Sequence, residues 1–226
     1  FLNEEDVLRL LTPADAIAAA EDIFYHTGTG EVTVGKMVMM YADKQRRNNF
    51  HSMPAILHHK GVSGVKWIDT YSDPLPGYPF SHGNLVIISD VRTGSPIALV
   101  GATNITTMRT AGGHGVVQAK HLANPNPQVL SVFGCGAQAK AGIWGFLEGF
   151  PSLRQLRLFN RSRQPMEEIQ KRLSDRIEVV VCDTPEEAVC GSRLILMASG
   201  AQTPLLAAEQ IRPGNTVIGI EGFRDL

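Results

Sequence analysis

QVLSVFGCGAQAKAGIWGFLEGFPSLRQLRLFNRS, residues 128–162, is the stretch whose order of elements decides the fold. An apolar run at 129–133 leads into Gly134-Cys135-Gly136-Ala137-Gln138-Ala139, and a helix-like stretch continues to Gly149. A second apolar strand at 156–159 ends in Asn160-Arg161-Ser162. Strand, glycine turn, helix and strand form the context in which a G-x-G-x-x-G/A spacing reads as dinucleotide binding rather than as a structural turn. Gly134 permits the tight turn, Gly136 lets the backbone approach a pyrophosphate, and Ala139 keeps the helix close to the sheet. The helix N-terminus supplies N–H groups and positive potential to the phosphates.

The end of the second strand bears on the choice of cofactor. An NAD site usually places an acid there, about 20 residues beyond the glycines, to bind the ribose 2′-hydroxyl. This chain has none. Asn160 and Ser162 offer neutral hydrogen bonds, and Arg161 offers a planar cation suited to a 2′-phosphate or to stacking on adenine. The pattern favours NADP(H) over NAD(H). The other reading makes Arg161 and Arg163 solvated residues at the start of a loop.

The 226 residues suffice for one large domain or two small ones with a sizeable core. A formal net charge of −1 provides no electrostatic case for nucleic acid or an anionic membrane surface. No apolar run approaches the roughly 18 residues of a membrane span, and the first residues are acidic and polar, unlike a signal peptide. Cys135, Cys182 and Cys190 lack metal-ligand spacing and read as small buried residues in a reducing compartment, so the expected location is cytoplasmic. Cys135 reads as packing rather than reactivity.

A breaker-rich segment at 122–127 divides the chain. Upstream, Thr12-Pro13-Ala14-Asp15 opens a predicted helix that runs to about Tyr25 and stops at Gly28 and Gly30. Strands are expected at 32–41, 64–70, 85–89 and 97–100, followed by a helix over 106–122. Downstream, strands at 177–181, 194–198 and 216–220 alternate with short helical stretches, the rhythm of a parallel sheet.

Two upstream segments carry conspicuous cations. His51-Ser52-Met53-Pro54-Ala55 is followed by Gly64-Val65-Lys66-Trp67, which puts a lysine in an otherwise apolar strand. A buried unpaired ammonium is costly, so Lys66 needs a partner or a job. In Ile105-Thr106-Thr107-Met108-Arg109-Thr110-Ala111-Gly112-Gly113 a lone arginine enters a helix of small residues. Those neighbours let a ligand or another backbone come close, and arginine grips carboxylates through two parallel hydrogen bonds. Taken alone, each cation reads equally as half of a structural ion pair.

With these motifs in order, the chain resembles the ornithine cyclodeaminase/mu-crystallin family. The resemblance rests on Met53-Pro54, Gly64-Val65-Lys66, Arg109-Thr110-Ala111 and Gly134-Cys135-Gly136-Ala137-Gln138-Ala139. Asp90-Val91-Arg92-Thr93-Gly94-Ser95-Pro96 and Asn160-Arg161-Ser162 add to it, and it covers essentially the whole chain. It implies an α/β protein: a Rossmann dinucleotide-binding domain at 123–226 joined to an α+β substrate-binding and dimerisation domain at 1–122. It also implies a homodimer and hydride exchange between a nicotinamide cofactor and the α-carbon of a small amino or imino acid. Under it Arg109 grips the substrate carboxylate. Lys66 lies beside that carboxylate or the imine nitrogen and donates a proton there. Ser81, Thr110, Ala137, Gln138, Ala198 and Ser199 join the cofactor site.

The chain departs from the family pattern in three places. A further cationic carboxylate ligand is expected on the strand before Met53-Pro54, where Lys36 stands, with Arg46 and Arg47 as looser candidates. The aspartate that cyclodeaminases carry after a Pro-Gly is missing: Phe223 takes that place beyond Pro213-Gly214, and Glu221 is the nearest acid. Imine reduction or a related dehydrogenation is therefore expected over ring-closing deamination, with a non-catalytic NADPH-binding protein as the contrasting reading. Retention of both Lys66 and Arg109 favours an enzyme. The cofactor domain also reads as truncated at its C-terminal end. His51, His58, His59, His82, His114 and His121 show no repeated metal spacing. The pair His58-His59 reads as an exposed turn, and only His82 suggests a site role. Met37, Met39 and Met40 are expected in a strand or subunit interface, and Trp67 in the substrate pocket or the core.

Overall fold

The computed structural model describes residues 1–45, 48–71 and 83–220. The chain forms two compact units, Phe1–Thr12 with Glu21–Thr106, and Pro13–Ala20 with Thr107–Leu226.

The first unit starts with helix α1 (Glu4–Leu10), whose N-terminus is closed by Asn3 and Asp6 in a reciprocal capping box. Helix α2 (Pro13–Gly28) begins with proline at its first position and stops at glycine, as expected, and it contributes residues to both units. An antiparallel sheet follows: β1 (Val32–Val34), β2 (Val38–Asp43), β3 (Asn48–Leu57), β4 (Val62–Thr70), β5 (Leu85–Asp90) and β6 (Pro96–Gly101). The order is β1-β3-β4-β5-β6, and β2 also pairs with β3. The strand expected at 32–41 is broken at residues 35–37, because Gly35 lies against β3. Its N–H donates to the Pro54 carbonyl at 2.9 Å, and a Cβ on it would sit 2.7 Å from Pro54 Cγ. Strand β3 carries no period-2 apolar signal. It is nevertheless central, and Asn48 and Asn49 are buried at its start. Short α3 (Thr103–Thr107) is anchored by Glu4, whose carboxylate accepts from the Thr103 N–H at 2.7 Å and the Asn104 N–H at 3.0 Å.

The second unit holds five parallel strands: β7 (Val129–Phe133), β8 (Gln155–Phe159), β9 (Glu178–Val181), β10 (Leu194–Met197) and β11 (Thr216–Gly219). Their order, β11-β10-β7-β8-β9, is that of a Rossmann sheet. Helices α5 (Ala137–Gly149), α6 (Gln164–Leu173) and α7 (Pro185–Val189) connect the strands. Leu130, Val132, Leu194 and Leu196 join one apolar cluster with Ile143 and Phe146 of α5, while Phe133, Ile195 and Met197 join another with Ala188 of α7. Both faces of the sheet are therefore covered, which is why its central strands β7 and β10 read as largely apolar runs.

The helix predicted over 106–122 runs from Thr103 to Leu122, with a π-helical segment at Met108–Gly115 between α3 and α4 (Val116–Leu122). The units divide at residue 106, inside this helix, rather than at the 122–127 breaker. The cause is packing. Ala111, Gly112, Gly113, Val116, Val117 and Ala119 are all buried in the second unit. A Cβ on Gly145 of α5 would lie 2.4 Å from the Gly112 carbonyl oxygen, and one on Gly113 would lie 2.7 Å from that of Ala16. The small residues serve close backbone approach.

Candidate active site

The glycine turn stands at the end of β7. Gly134 has φ +100°, and a Cβ there would fall 2.3 Å from the Ala198 carbonyl oxygen, so backbone angle and space both demand glycine. Its N–H donates to the Phe159 carbonyl at 2.8 Å, tying the ends of β7 and β8 together. Gly136 is the N-cap of α5 and gives it no side-chain cap; a Cβ there would meet nothing within 4 Å. The first N–H groups of α5 thus receive no side-chain cap, and the positive end of the helix dipole lies at this turn. Ala137 is exposed at this end, and fully buried Ala139 holds α5 to the sheet. Gln138 is half-buried, and its Oε1 is buried without a hydrogen-bond partner among the described residues. An uncapped helix N-terminus and an orphaned acceptor fit a dinucleotide, which brings anionic phosphates to the first and hydroxyl or amide donors to the second.

A cleft of about 580 Å³ opens at the C-terminal ends of the strands, lined by Gly134, Asn160, Arg161, Ser162, Ser199 and Thr203 among others. This is where open parallel sheets bind ligands. Asn160 Nδ2 donates to the Ser162 carbonyl at 2.9 Å and fixes the turn that follows β8. The Ala198 N–H donates to the Phe133 carbonyl at 2.8 Å, and Ser199 Oγ accepts from the Ala201 N–H at 3.1 Å. The two arginines of this turn differ. Arg163 pairs with Glu167 and Asp183, whereas Arg161 is exposed, lines the cleft and makes no ion pair among the described residues. Gly200, Ala201, Gln202, Thr203 and Leu205 also line the cleft and were not singled out from sequence. Their signal was a run of breakers directly after a buried strand.

Arg109 and Thr110 lie in the π-helical segment, both half-buried. The Arg109 carbonyl accepts from His114 Nδ1 at 2.7 Å. No carboxylate pairs with the Arg109 guanidinium among the described residues, and burial pulls its pKa below the ordinary arginine value. Of the two readings of this cation, the structural ion pair is thus not found among those residues. Short π segments recur at functional sites.

In the first unit, Lys66 on β4 is half-buried and pairs across the sheet with Met53 and Val86. Its Nζ donates to Thr106 Oγ1 of α3 at 3.4 Å. Burial opposes ionisation of Glu4, but hydrogen bonds from Asn104 and Thr103 outweigh it and hold the carboxyl below its ordinary value. Glu4 thereby orders the helix that carries Thr106; as the first of three consecutive acids, Glu4-Glu5-Asp6, it gave no sequence signal for that role.

Several expectations change. Lys36 is exposed in the 35–37 break rather than borne on a strand. Trp67 lines neither the Lys66 face nor the core: neighbouring strand residues point to opposite faces, and Trp67 stacks on Phe50, partly exposed. Cys190 is exposed, while Cys135 and Cys182 are buried. Burial pushes the Cys135 thiol up to about 11, in keeping with packing rather than reactivity. Of the 58–60 turn only His59 departs from exposure: it is half-buried, with its ring against Asp22. Ser81, His82, Glu221, Phe223, Arg46 and Arg47 lie outside the described residues.

A model of the ornithine cyclodeaminase/mu-crystallin family matches residues 1–224. The chain belongs to this family. It is 27% identical to the alanine dehydrogenase of Archaeoglobus fulgidus over 98% of its own length and 67% of the relative's. It is 31% identical to the ketimine reductase mu-crystallin of Macropus fuliginosus, covering 99% of this chain and 71% of that one. The rat ketimine reductase mu-crystallin is 33% identical over 76% of this chain and 54% of its own. Among solved structures, an archaeal alanine dehydrogenase dimer with bound NAD superposes with a TM-score of 0.85 at 26% identity, covering 96% of this family member and 65% of that chain. The chain thus spans roughly half to seven tenths of the length of these relatives.

Proposed function

We propose that the chain is an NADP(H)-dependent oxidoreductase that exchanges a hydride with the α-carbon of a small imino or amino acid. One observation carries the reaction class: Arg109, a half-buried guanidinium in a π-helical segment, has no carboxylate partner among the described residues. A buried cation of this kind suits the carboxylate of an amino or imino acid, which it grips through two parallel hydrogen bonds. The relatives named ketimine reductase and alanine dehydrogenase fit the same chemistry.

The nicotinamide, when bound, supplies or accepts the hydride. The chain's own residues position and protonate. The uncapped N-terminus of α5 and the Gly134–Gly136 turn take the pyrophosphate, Gln138 Oε1 accepts a cofactor donor, and Arg161 pairs with the 2′-phosphate. Ser81, Thr110, Ala137, Asn160, Ser162, Ala198 and Ser199 complete the cofactor set. Arg109 holds the substrate carboxylate. Lys66, steadied by Thr106, delivers a proton to the imine nitrogen as the carbon gains hydride, and takes it back in the oxidative direction. Holding the reacting carbon against the cofactor is a large part of such catalysis. Lys36 and Glu221 are proposed as an outer carboxylate ligand and a supporting acid.

We also place the protein in the cytoplasm as a homodimer formed through the sheet of the first unit. Val38, Met40, Trp67, Ile87 and Leu99 fall on one face of that sheet by register, and all are exposed. A contiguous apolar face of this kind marks an association surface. The test of function is Arg109→Ala. Turnover of cyclic imines should vanish while NADPH binding, followed by nicotinamide fluorescence, stays within about twofold. Equal loss of both would overturn the carboxylate assignment.

A further inference from the structure

Arg109 stands second in the π-helical segment Met108–Gly115, whose composition does little to fix its winding. Gly112, Gly113 and Gly115 fall within it, and glycine is among the poorest helix formers. Packing fixes the middle of the segment. A Cβ on Gly112 would lie 2.9 Å from the Ala141 carbonyl oxygen, and one on Gly113 would lie 2.7 Å from that of Ala16. Arg109 lies upstream of both contacts. A side chain ties it to the far end of the segment: His114 Nδ1 is 2.7 Å from the Arg109 carbonyl oxygen. A carbonyl only accepts, so Nδ1 carries the proton and donates it.

The spacing of that bond matches the winding. Helical side chains lean back toward the N-terminus, so a ring at position i covers the turn before it. In an α-helix that turn closes at i−4, and side chains that bond back to the backbone use the i−3 and i−4 carbonyls. His114 reaches i−5, the carbonyl that closes a π turn. The bond therefore favours the π form and is lost if the segment tightens to α. Tightening by one residue would turn Arg109 by roughly 100° about the helix axis relative to α4. Val116, Val117 and Ala119 anchor α4 in the core of the second unit, so Arg109 is the part that would move. Its half-buried guanidinium would then point in another direction.

We propose that His114 is a positioning residue for carboxylate recognition: its bond to the Arg109 carbonyl holds the π winding and with it the aim of the Arg109 guanidinium. The inference rests on the reading of Arg109 as the carboxylate grip and adds the group that directs it. His114 touches no substrate in this role. It acts through the backbone of Arg109, and what it sets is the preference for an anionic group beside the reacting carbon.

Two substitutions separate the bond from the bulk of the ring. In asparagine the amide nitrogen hangs on Cγ as Nδ1 does in histidine, so His114→Asn keeps the donor in place. In glutamine it stands where Nε2 does, so His114→Gln keeps size and polarity but moves the donor. The full chain with saturating NADPH is titrated by calorimetry with pyrrole-2-carboxylate, a flat ring acid with no imine to reduce. Pyrrole-2-carboxamide, which lacks the anion, is the second probe, and the ratio of the two affinities is the readout. The parent should favour the carboxylate, and His114→Asn should keep its ratio within about threefold. His114→Gln and His114→Ala should lower the ratio about tenfold, the order of one lost hydrogen bond. NADPH affinity should stay within about twofold throughout; a matching drop in NADPH affinity would make the effect a general loss of structure and overturn the role. If His114→Ala does not fold by circular dichroism, the Asn and Gln variants decide. An unchanged ratio in His114→Gln, or an equal loss in His114→Asn, would overturn the positioning role. Arg109→Ala, measured beside them, should erase the preference for the carboxylate. If it keeps the parent's ratio, the carboxylate reading of Arg109 falls and the inference with it. If it loses the ratio while His114→Gln keeps it, only the inference falls.

Discussion

Arg161→Ala is the perturbation that separates the two readings of the turn after β8. Arg161 is exposed, lines the cleft and is not held by a carboxylate among the described residues, so no internal ion pair has to break before it meets a phosphate. Hydrogen bonds to charged groups contribute about 1.5–3 kcal/mol. Solvent exposure and salt screening favour the lower end, so about 1.5 kcal/mol is expected, or roughly tenfold in affinity. NADPH binding should weaken by about that factor, while NADH, which lacks the phosphate, should change less than about twofold. Titration by nicotinamide fluorescence at low and moderate salt measures both, and the parent's preference for NADPH should shrink as salt rises. Arg163→Ala is the control: its guanidinium is engaged by Glu167 and Asp183, so the NADPH/NADH ratio should hold. An unchanged ratio in Arg161→Ala, or an equal drop in both variants, would refute 2′-phosphate recognition by Arg161.

Gly134→Ala should abolish cofactor binding and cost more than about 3 kcal/mol in denaturant unfolding, since it combines a positive φ with a Cβ 2.3 Å from backbone oxygen. Trp67→Lys combined with Ile87→Lys should leave a monomer by light scattering with NADPH affinity intact; a persistent dimer would place the interface elsewhere. The folded-state pKa of Glu4 is lowered, so its contribution is present above the unfolded carboxyl value of 4.5 and is lost as pH falls through the lower folded value. Glu4→Gln should therefore cost about 1 kcal/mol near neutrality, discounted for partial exposure, and the gap to the parent should close as pH falls from 4.5 through the lower folded value. Parallel unfolding curves at every pH would show that the charge does not matter.

The second unit was legible because its physics is local. A parallel strand covered on both faces is mostly apolar, and Gly134 is the residue its angle demands, so 129–133, 156–159 and the turn between them could be read in order despite Ser131 and Arg157. The uncapped N-terminus of α5 followed from the same run. In the first unit β3 hid behind Asn48, Asn49 and Pro54, whose burial depends on partners far along the chain. Gly142, Gly145 and Gly149 likewise look like weak points of a helix until Leu196, Gly112 and Val116 are seen pressed against them.

Charge shows most sharply where sequence stops. Arg161 and Arg163 are two residues apart in one polar turn. Glu167, one helical turn on, and Asp183, twenty residues on, engage Arg163, while Arg161 is left to the cleft. His58 and His59 repeat the lesson: the first bonds Thr33 at the surface, while the second packs on His26 because α2 returns to cover it. For each side chain the residue type says which chemistry is available, and the partner contributed by a distant segment decides whether that chemistry is used up in the fold. Cations such as Arg109 and Arg161, to which the described residues supply no such partner, are therefore the ones assigned here to ligands.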